Sequence, residues 1–189
     1  EDIDRVKSDP TLSKEFYNGP RFVLYWYGFD SSQPPMDNVL VRKAFAAAID
    51  KQTIVEKITR GGQVAAPTMT PPGSVGSVPL SAEIGIPFDP DQAKKYLAEA
   101  GYPGGEGLPP VTLGYNASEI NANVAQAIQK MWVDNLDVTA ELKGWEGGGY
   151  NDAASAGAFN VWRNGWGMDF PDAHNVLGEI FRSKPVTGD

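Results

Sequence analysis

The chain has 189 residues, 41% hydrophobic and 11% aromatic, with 24 Asp and Glu against 16 Lys and Arg for a net charge of −8. That length and apolar content exclude a disordered chain and allow one domain with a sizeable core, while the acidic balance without a basic stripe excludes a nucleic-acid footprint. The absence of cysteine excludes disulfides and thiol chemistry, and no apolar run reaches the ~18 residues that a membrane-spanning helix needs.

Residues 1 to 20 form a polar lead-in with scattered apolar positions, which predicts a short helical turn and a loop. The start, Glu1-Asp2-Ile3-Asp4-Arg5, carries neither Met nor a signal peptide, so a mature chain or an excised piece is expected. Arg21 to Phe29 is rich in aromatic and β-branched residues and reads as a buried strand, stopped by Ser31-Ser32-Gln33-Pro34-Pro35. Val39 to Ile49 has helical spacing, with Val41, Phe45, Ala48 and Ile49 along one face. Asp50 is placed to cap a second helix, Lys51 to Arg60, with Ile54, Val55 and Ile58 as its stripe and Gly61-Gly62 as its left-handed stop. Residues 63 to 88 are a Pro-, Gly- and Ser-rich loop without periodicity. Asp89, followed by Pro90, opens a helix with Ala93, Leu97 and Ala100 facing inward and Gly101 as its stop.

After the turn-rich piece Pro103 to Pro110, Val111 to Tyr115 reads as a strand. Ser118 caps a long helix over 119 to 136, with Ile120, Val124, Ile128, Met131 and Leu136 on one side. Val138 to Leu142 alternates like a strand, Asn160 to Trp166 reads as another, and Pro171 to Arg182 as the last helix. Lys184 to Asp189 belongs to a polar tail over 183–189. Alternating strands and helices give an α/β lobe with a mixed sheet. Its 21 glycines and 15 prolines gather in three loops, where a binding surface is expected.

The stretch Arg163-Asn164-Gly165-Trp166-Gly167-Met168-Asp169-Phe170-Pro171 holds the densest chemistry. Asp169 suits an ammonium, Arg163 a carboxylate, and Trp166 an apolar wall, a compact kit for a small zwitterion. Each residue also has a plainer reading. Asp169 could cap the helix that follows, although Asp172 is the better first-turn acid. Arg163 could stack on Trp162 or Trp166. Trp145 and Trp166 could be core. Clustering with Gly165 and Gly167, which let other groups approach, favours the ligand reading.

Enzyme readings fare worse. His174 is the single histidine, expected to face solvent, so a His-rich metal centre is excluded, and no metal or cofactor is expected. Asp169 and Asp172, at i and i+3 of a helix start, point the same way and cannot flank a bond as a hydrolase pair would. Gly147-Gly148-Gly149 and Gly104-Gly105-Glu106-Gly107 lack the lysine and the strand–turn–helix setting of a phosphate loop. The site is a grip, not a reactor.

Three blocks carry a resemblance. Val41-Arg42-Lys43-Ala44-Phe45-Ala46-Ala47-Ala48-Ile49-Asp50 resembles the V-R-x-A-[LF]-x-x-A-I-D signature of the oligopeptide/dipeptide/nickel solute-binding proteins of ABC importers, extracellular solute-binding family 5, with Gln33-Pro34-Pro35-Met36-Asp37 similar to its P-P-F-D lead-in. Asp89 to Tyr102 resembles the family's D-P-x-x-A-K-x-L-L-x-E-A-G-Y helix, and Gly165 to Asp172 its G-W-x-x-D-Y-P-D block. The resemblance implies one lobe, residues 1–189, of a two-lobe, type II Venus-flytrap fold of the periplasmic-binding-protein kind. It implies a ligand enclosed by hinge closure and delivered to an ABC permease, outside the cytoplasm, by a monomer peripheral to the membrane. It makes Asp169 the partner of a peptide α-ammonium and Arg163 a partner for its carboxylate. It makes Trp166 and Trp145 pocket indoles, and Asn116 a cleft-facing residue. Phe170 replaces the family's tyrosine, the Trp145 loop is longer, and Asn121 stands where some peptide binders are basic. Relatives of this kind also take oligosaccharides and nickel chelates, so peptide leads among three ligand classes.

Overall fold

Asp50, Asp89 and Ser118 each spend a side-chain oxygen on a free N–H at a helix start, accepting from Thr53 at 3.0 Å, Gln92 at 2.9 Å and Asn121 at 3.2 Å. The computed structural model describes residues 3–17, 19, 21–81 and 84–182. In chain order the elements are α1 (Ile3–Ser8), β1 (Val23–Phe29), α2 (Val39–Ala47), α3 (Lys51–Thr53), α4 (Pro90–Glu99), β2 (Thr112–Asn116), α5 (Glu119–Leu136), β3 (Glu141–Trp145), α6 (Tyr150–Ser155), β4 (Val161–Gly167) and α7 (His174–Leu177).

The strands form one mixed sheet in the order β1-β4-β2-β3. β1 runs antiparallel to β4 along its whole length, from Val23 opposite Gly167 to Phe29 opposite Val161. β2 is parallel to β3 and to β4, but it meets β4 only at Leu113–Val161 and Gly114–Trp162. Beyond Gly114 the two strands part, and the Tyr150 hydroxyl sits between them, 3.0 Å from the Gly114 carbonyl and 2.8 Å from that of Arg163. The split opens one end of the sheet for a site.

One face of the sheet packs on the helices. Leu113 and Val161 meet Val124, Ile128, Trp132 and Leu136 of α5, with Phe45 of α2 and Leu97 of α4 completing the core. Trp132 stacks obliquely on Phe45, ring centres 4.7 Å apart, and gives its indole N–H to the Phe45 carbonyl at 3.0 Å. On the opposite face Tyr150, Ala154 and Phe159 form a smaller cluster with Trp162. Successive strand residues face opposite sides, so Gly114 points where Leu113 does not; a Cβ on it would lie 2.4 Å from Phe159.

Several expectations are corrected. The second helix is three α-helical residues that run on as a π-helical turn, Ile54–Thr59, and Arg60 itself takes the left-handed stop at φ 52. On α5, Ile120 is exposed while Trp132 and Asn121 are buried, because the helix meets both the sheet and α2. The strand expected at Val138 to Leu142 forms its ladder at Glu141–Trp145 instead, since Val138 and Ala140 are core residues leading into it. The last helix keeps only His174–Leu177 of Pro171 to Arg182. The 63–88 loop carries an isolated bridge between Val75 and Asp172. The tail at 183–189 lies outside the described residues.

Candidate functional site

Arg163 and Gly165 follow Val161 at alternate positions of β4. The Arg163 guanidinium lies over the Tyr25 ring of neighbouring β1, its Cζ 4.5 Å from the ring centre. Gly165 leaves room for it: a Cβ there would stand 3.2 Å from both Arg163 Nη2 and the Leu24 carbonyl oxygen, a tight contact. Stacking on Trp162 or Trp166 is thereby replaced. Those neighbours sit at positions of opposite parity, whereas Tyr25 is the register partner of Gly165.

Arg163 Nη1 donates to Asn116 Oδ1 at 3.1 Å. Its Nε is buried and meets no acceptor among the described residues. Asn116 is itself held by Asn121, whose Nδ2 donates to the Asn116 carbonyl at 2.9 Å and to its Oδ1 at 3.3 Å. Asn121 Oδ1 accepts from the Tyr25 hydroxyl at 3.2 Å, and Tyr25 lies 3.4 Å from the Tyr27 hydroxyl. Burial raises the Tyr27 phenol well above its ordinary pKa, and burial pushes Tyr150 up to about 12. Both phenols are neutral hydrogen-bonding groups here, not acids.

A cavity of about 480 Å³ opens between the parted strands, walled by Asn116, Arg163, Gly165, Tyr150 and the Gly147-Gly148-Gly149 loop. A second, of about 350 Å³, lies beside it under Asp30, Gln33 and Trp162, and the two share Asn151 and Asn164.

Asp169 belongs to a different cluster, organised by Asn175, which is fully buried. Asn175 Oδ1 accepts from the Trp166 indole at 2.9 Å and from the Asp169 backbone N–H at 3.2 Å. Its Nδ2 donates to Glu179 Oε2 at 2.9 Å and lies 3.4 Å from Asp169 Oδ2. The Asp169 side chain is otherwise exposed, and among the described residues no cation pairs with it. Asp172 is the capping acid, accepting from the His174 N–H at 2.8 Å, and His174 is exposed. Among the described residues no group of three or more His, Asp or Glu is arranged to hold a metal.

Thus Arg163 and Asn116 share one cavity wall, while Trp166 and Asp169 share the Asn175 hub. Trp145 joins neither: it is 37% exposed, donates to the Gly148 carbonyl at 3.2 Å and meets Phe159 edge-on at 6.0 Å. Along the backbone, Arg163 to the end of β4 at Gly167 is about 13 Å at roughly 3.3 Å per residue, and Asp169 lies two residues further on. Sequence reasoning missed Tyr25, Tyr150 and Asn175.

A family model described as Bacterial extracellular solute-binding proteins, family 5 Middle, matches residues 1–188. The chain belongs to that family. Among the relatives of this family 5 chain, the oligopeptide-binding protein OppA of Bacillus subtilis is 36% identical over 185 residues, 95% of this chain and 34% of the relative. The periplasmic murein peptide-binding protein MppA of Escherichia coli is 31% identical, over 93% of this chain and 35% of its own length. The solved structure of the E. coli murein tripeptide binding protein MppA superposes with a TM-score of 0.82 at 30% identity, covering 94% of this chain and 35% of that one. Haemophilus influenzae OppA in complex with RPPGFSPFR gives 0.74 at 28% identity, covering 92% and 34%. The mixed-sheet lobe is therefore of the periplasmic-binding-protein type, and the chain spans about a third of the length of the curated relatives it matches. The family is one of binding proteins, in keeping with a site that grips.

Proposed function

We propose that this chain is one lobe of the substrate-binding receptor of an ABC importer, closing on a short peptide outside the cytoplasm and passing it to a membrane permease. The observation that carries this reading is a pair of opposite charges, Arg163 within β4 and Asp169 two residues beyond its end. Arg163 lines a polar cavity with a guanidinium bonded by one nitrogen only, and Asp169 offers a carboxylate that pairs with no cation among the described residues. Their backbone separation, about 13 Å or slightly more at roughly 3.3 Å per extended residue, leaves room between the two charges for a short peptide. Trp166, tied to Asn175, forms the wall near the ammonium end, and Asn116 holds Arg163 at the other. Relatives that bind oligopeptides and murein peptides support the same ligand class.

The test is Asp169→Asn in the full receptor, with each peptide compared in free-amine and N-acetylated form. A charge left unpaired in a closed, desolvated site costs roughly 3–5 kcal/mol, so free-amine peptides should lose over a hundredfold while acetylated ones change little. Equal losses for both would refute the ammonium role. The exposed Trp145 indole keeps an oligosaccharide as a second reading, and sugar affinity that survives Asp169→Asn would favour it.

A further inference from the structure

Two groups grip the Arg163 guanidinium: the Tyr25 ring beneath it and the Asn116 amide oxygen at its Nη1. The two come from strands that are not neighbours, since β4 lies between β1 and β2. Both are tied to one side chain. Asn121, 5% exposed in the first turn of α5, accepts from the Tyr25 hydroxyl with its Oδ1 and donates twice to Asn116 with its Nδ2. Its own backbone N–H is fixed by the Ser118 cap. Every polar group on Asn121 is thus spent within the lobe. None is left to meet a ligand.

We infer that Asn121 is the positioning residue for carboxylate recognition, joining Tyr25 and Asn116 into one clamp that holds the Arg163 guanidinium in a fixed orientation towards a ligand carboxylate. This rests on the reading of Arg163 given above. The clamp occupies Nη1 and one face of the guanidinium and Nε is buried, so Nη2, which bonds to nothing among the described residues, is the donor left for a ligand. A planar guanidinium bonds a carboxylate well only when its orientation is fixed, because two parallel N–H donors must align with two oxygens. With either arm loose, the side chain keeps its charge and loses its aim. The amide is required for both arms: a carboxylate at this position could accept from Tyr25 but could not donate to Asn116.

The experiment measures, in the full-length receptor, the ratio of dissociation constants for a C-terminally amidated peptide and its free acid, using tri- and tetra-alanine as probes. The ratio reads the carboxylate contact alone, since general loosening of the lobe weakens both forms together. The wild-type ratio is expected to be tenfold or more; Asn121→Ala should bring it below threefold, and Asn121→Asp, which keeps the Tyr25 arm, should give an intermediate ratio. Tyr25→Phe, which keeps the ring and removes the hydroxyl, and Asn116→Ala, which removes the other arm, should each give an intermediate ratio. They serve as the test if the Asn121 variants do not fold. A wild-type ratio in folded Asn121→Asp, or in both single-arm variants, overturns the inference while leaving Arg163 as the carboxylate partner. A ratio near one in the wild type overturns that partner as well, and the two failures are thereby distinguished.

Discussion

Replacing Asn175 by leucine, which keeps the branched shape and removes the amide, separates packing from hydrogen bonding at the Asp169 cluster. The side chain is fully buried and makes four polar contacts: it accepts from the Trp166 indole and the Asp169 N–H, and it donates towards Asp169 and Glu179. The two carboxylates are on exposed residues and recover water, so their loss costs little. The two N–H donors are partly buried and lose the one acceptor they have among the described residues, at about 1–2 kcal/mol each. The sum is a destabilisation of about 2–4 kcal/mol, or roughly 4–16 °C in Tm for a chain of this size. Urea unfolding followed by tryptophan fluorescence measures it. A change below about 0.5 kcal/mol, the size expected for an unremarkable surface substitution, would refute the hub. In the full receptor the same variant should also lower the preference for free-amine over acetylated peptides, because Asp169 loses the donor that orients it.

Three further outcomes follow from particular groups. Tyr150→Phe leaves the Gly114 and Arg163 carbonyls without their hydroxyl donor and should cost about 1–2 kcal/mol. Because the phenol is raised to about 12 from an ordinary value near 10, its contribution is complete below pH ~10 and lost as pH climbs towards 12; unfolding at pH 9 and 11 should show a shallower alkaline decline in the variant. Asp50 is held below the usual carboxylate range first by the Thr53 hydroxyl and then by the Thr53 amide. Its stabilising contribution is therefore present above pH ~4 and lost as pH falls below it, and Asp50→Asn should flatten that acid limb in a Tm series from pH 2.5 to 6. The chain alone, offering one side of the proposed cleft, should bind tri-alanine at least a hundredfold more weakly than the full receptor does, and micromolar binding by calorimetry would contradict closure as the source of affinity.

Local chemistry was legible; distant register was not. Asp50, Asp89 and Ser118 were readable as caps because a cap depends on bonds within three residues. The alternation of strands and helices fixed the fold class, and the family blocks fixed the kind of lobe. The Tyr25–Arg163 stack was invisible because it depends on β1 lying antiparallel against β4 with Tyr25 opposite Gly165. Helix α6 was missed for a local reason: it follows Gly149 in a left-handed conformation and has no side-chain cap to announce it. The same blindness to register hid that Arg163 is held by Asn116 while Trp166 and Asp169 are held by Asn175.

The glycine loop beside Arg163 makes the cavity wall adjustable at one place. A Cβ on Gly147, Gly148 or Gly149 would touch nothing within 4 Å, yet Gly147 and Gly149 sit at φ 74 and 82, where side chains are strained. Gly148 alone carries no such restriction. Side chains of increasing bulk at that one residue would narrow the vestibule step by step while the sheet beneath stayed as it is, so related receptors could diverge in ligand size without relearning how to fold.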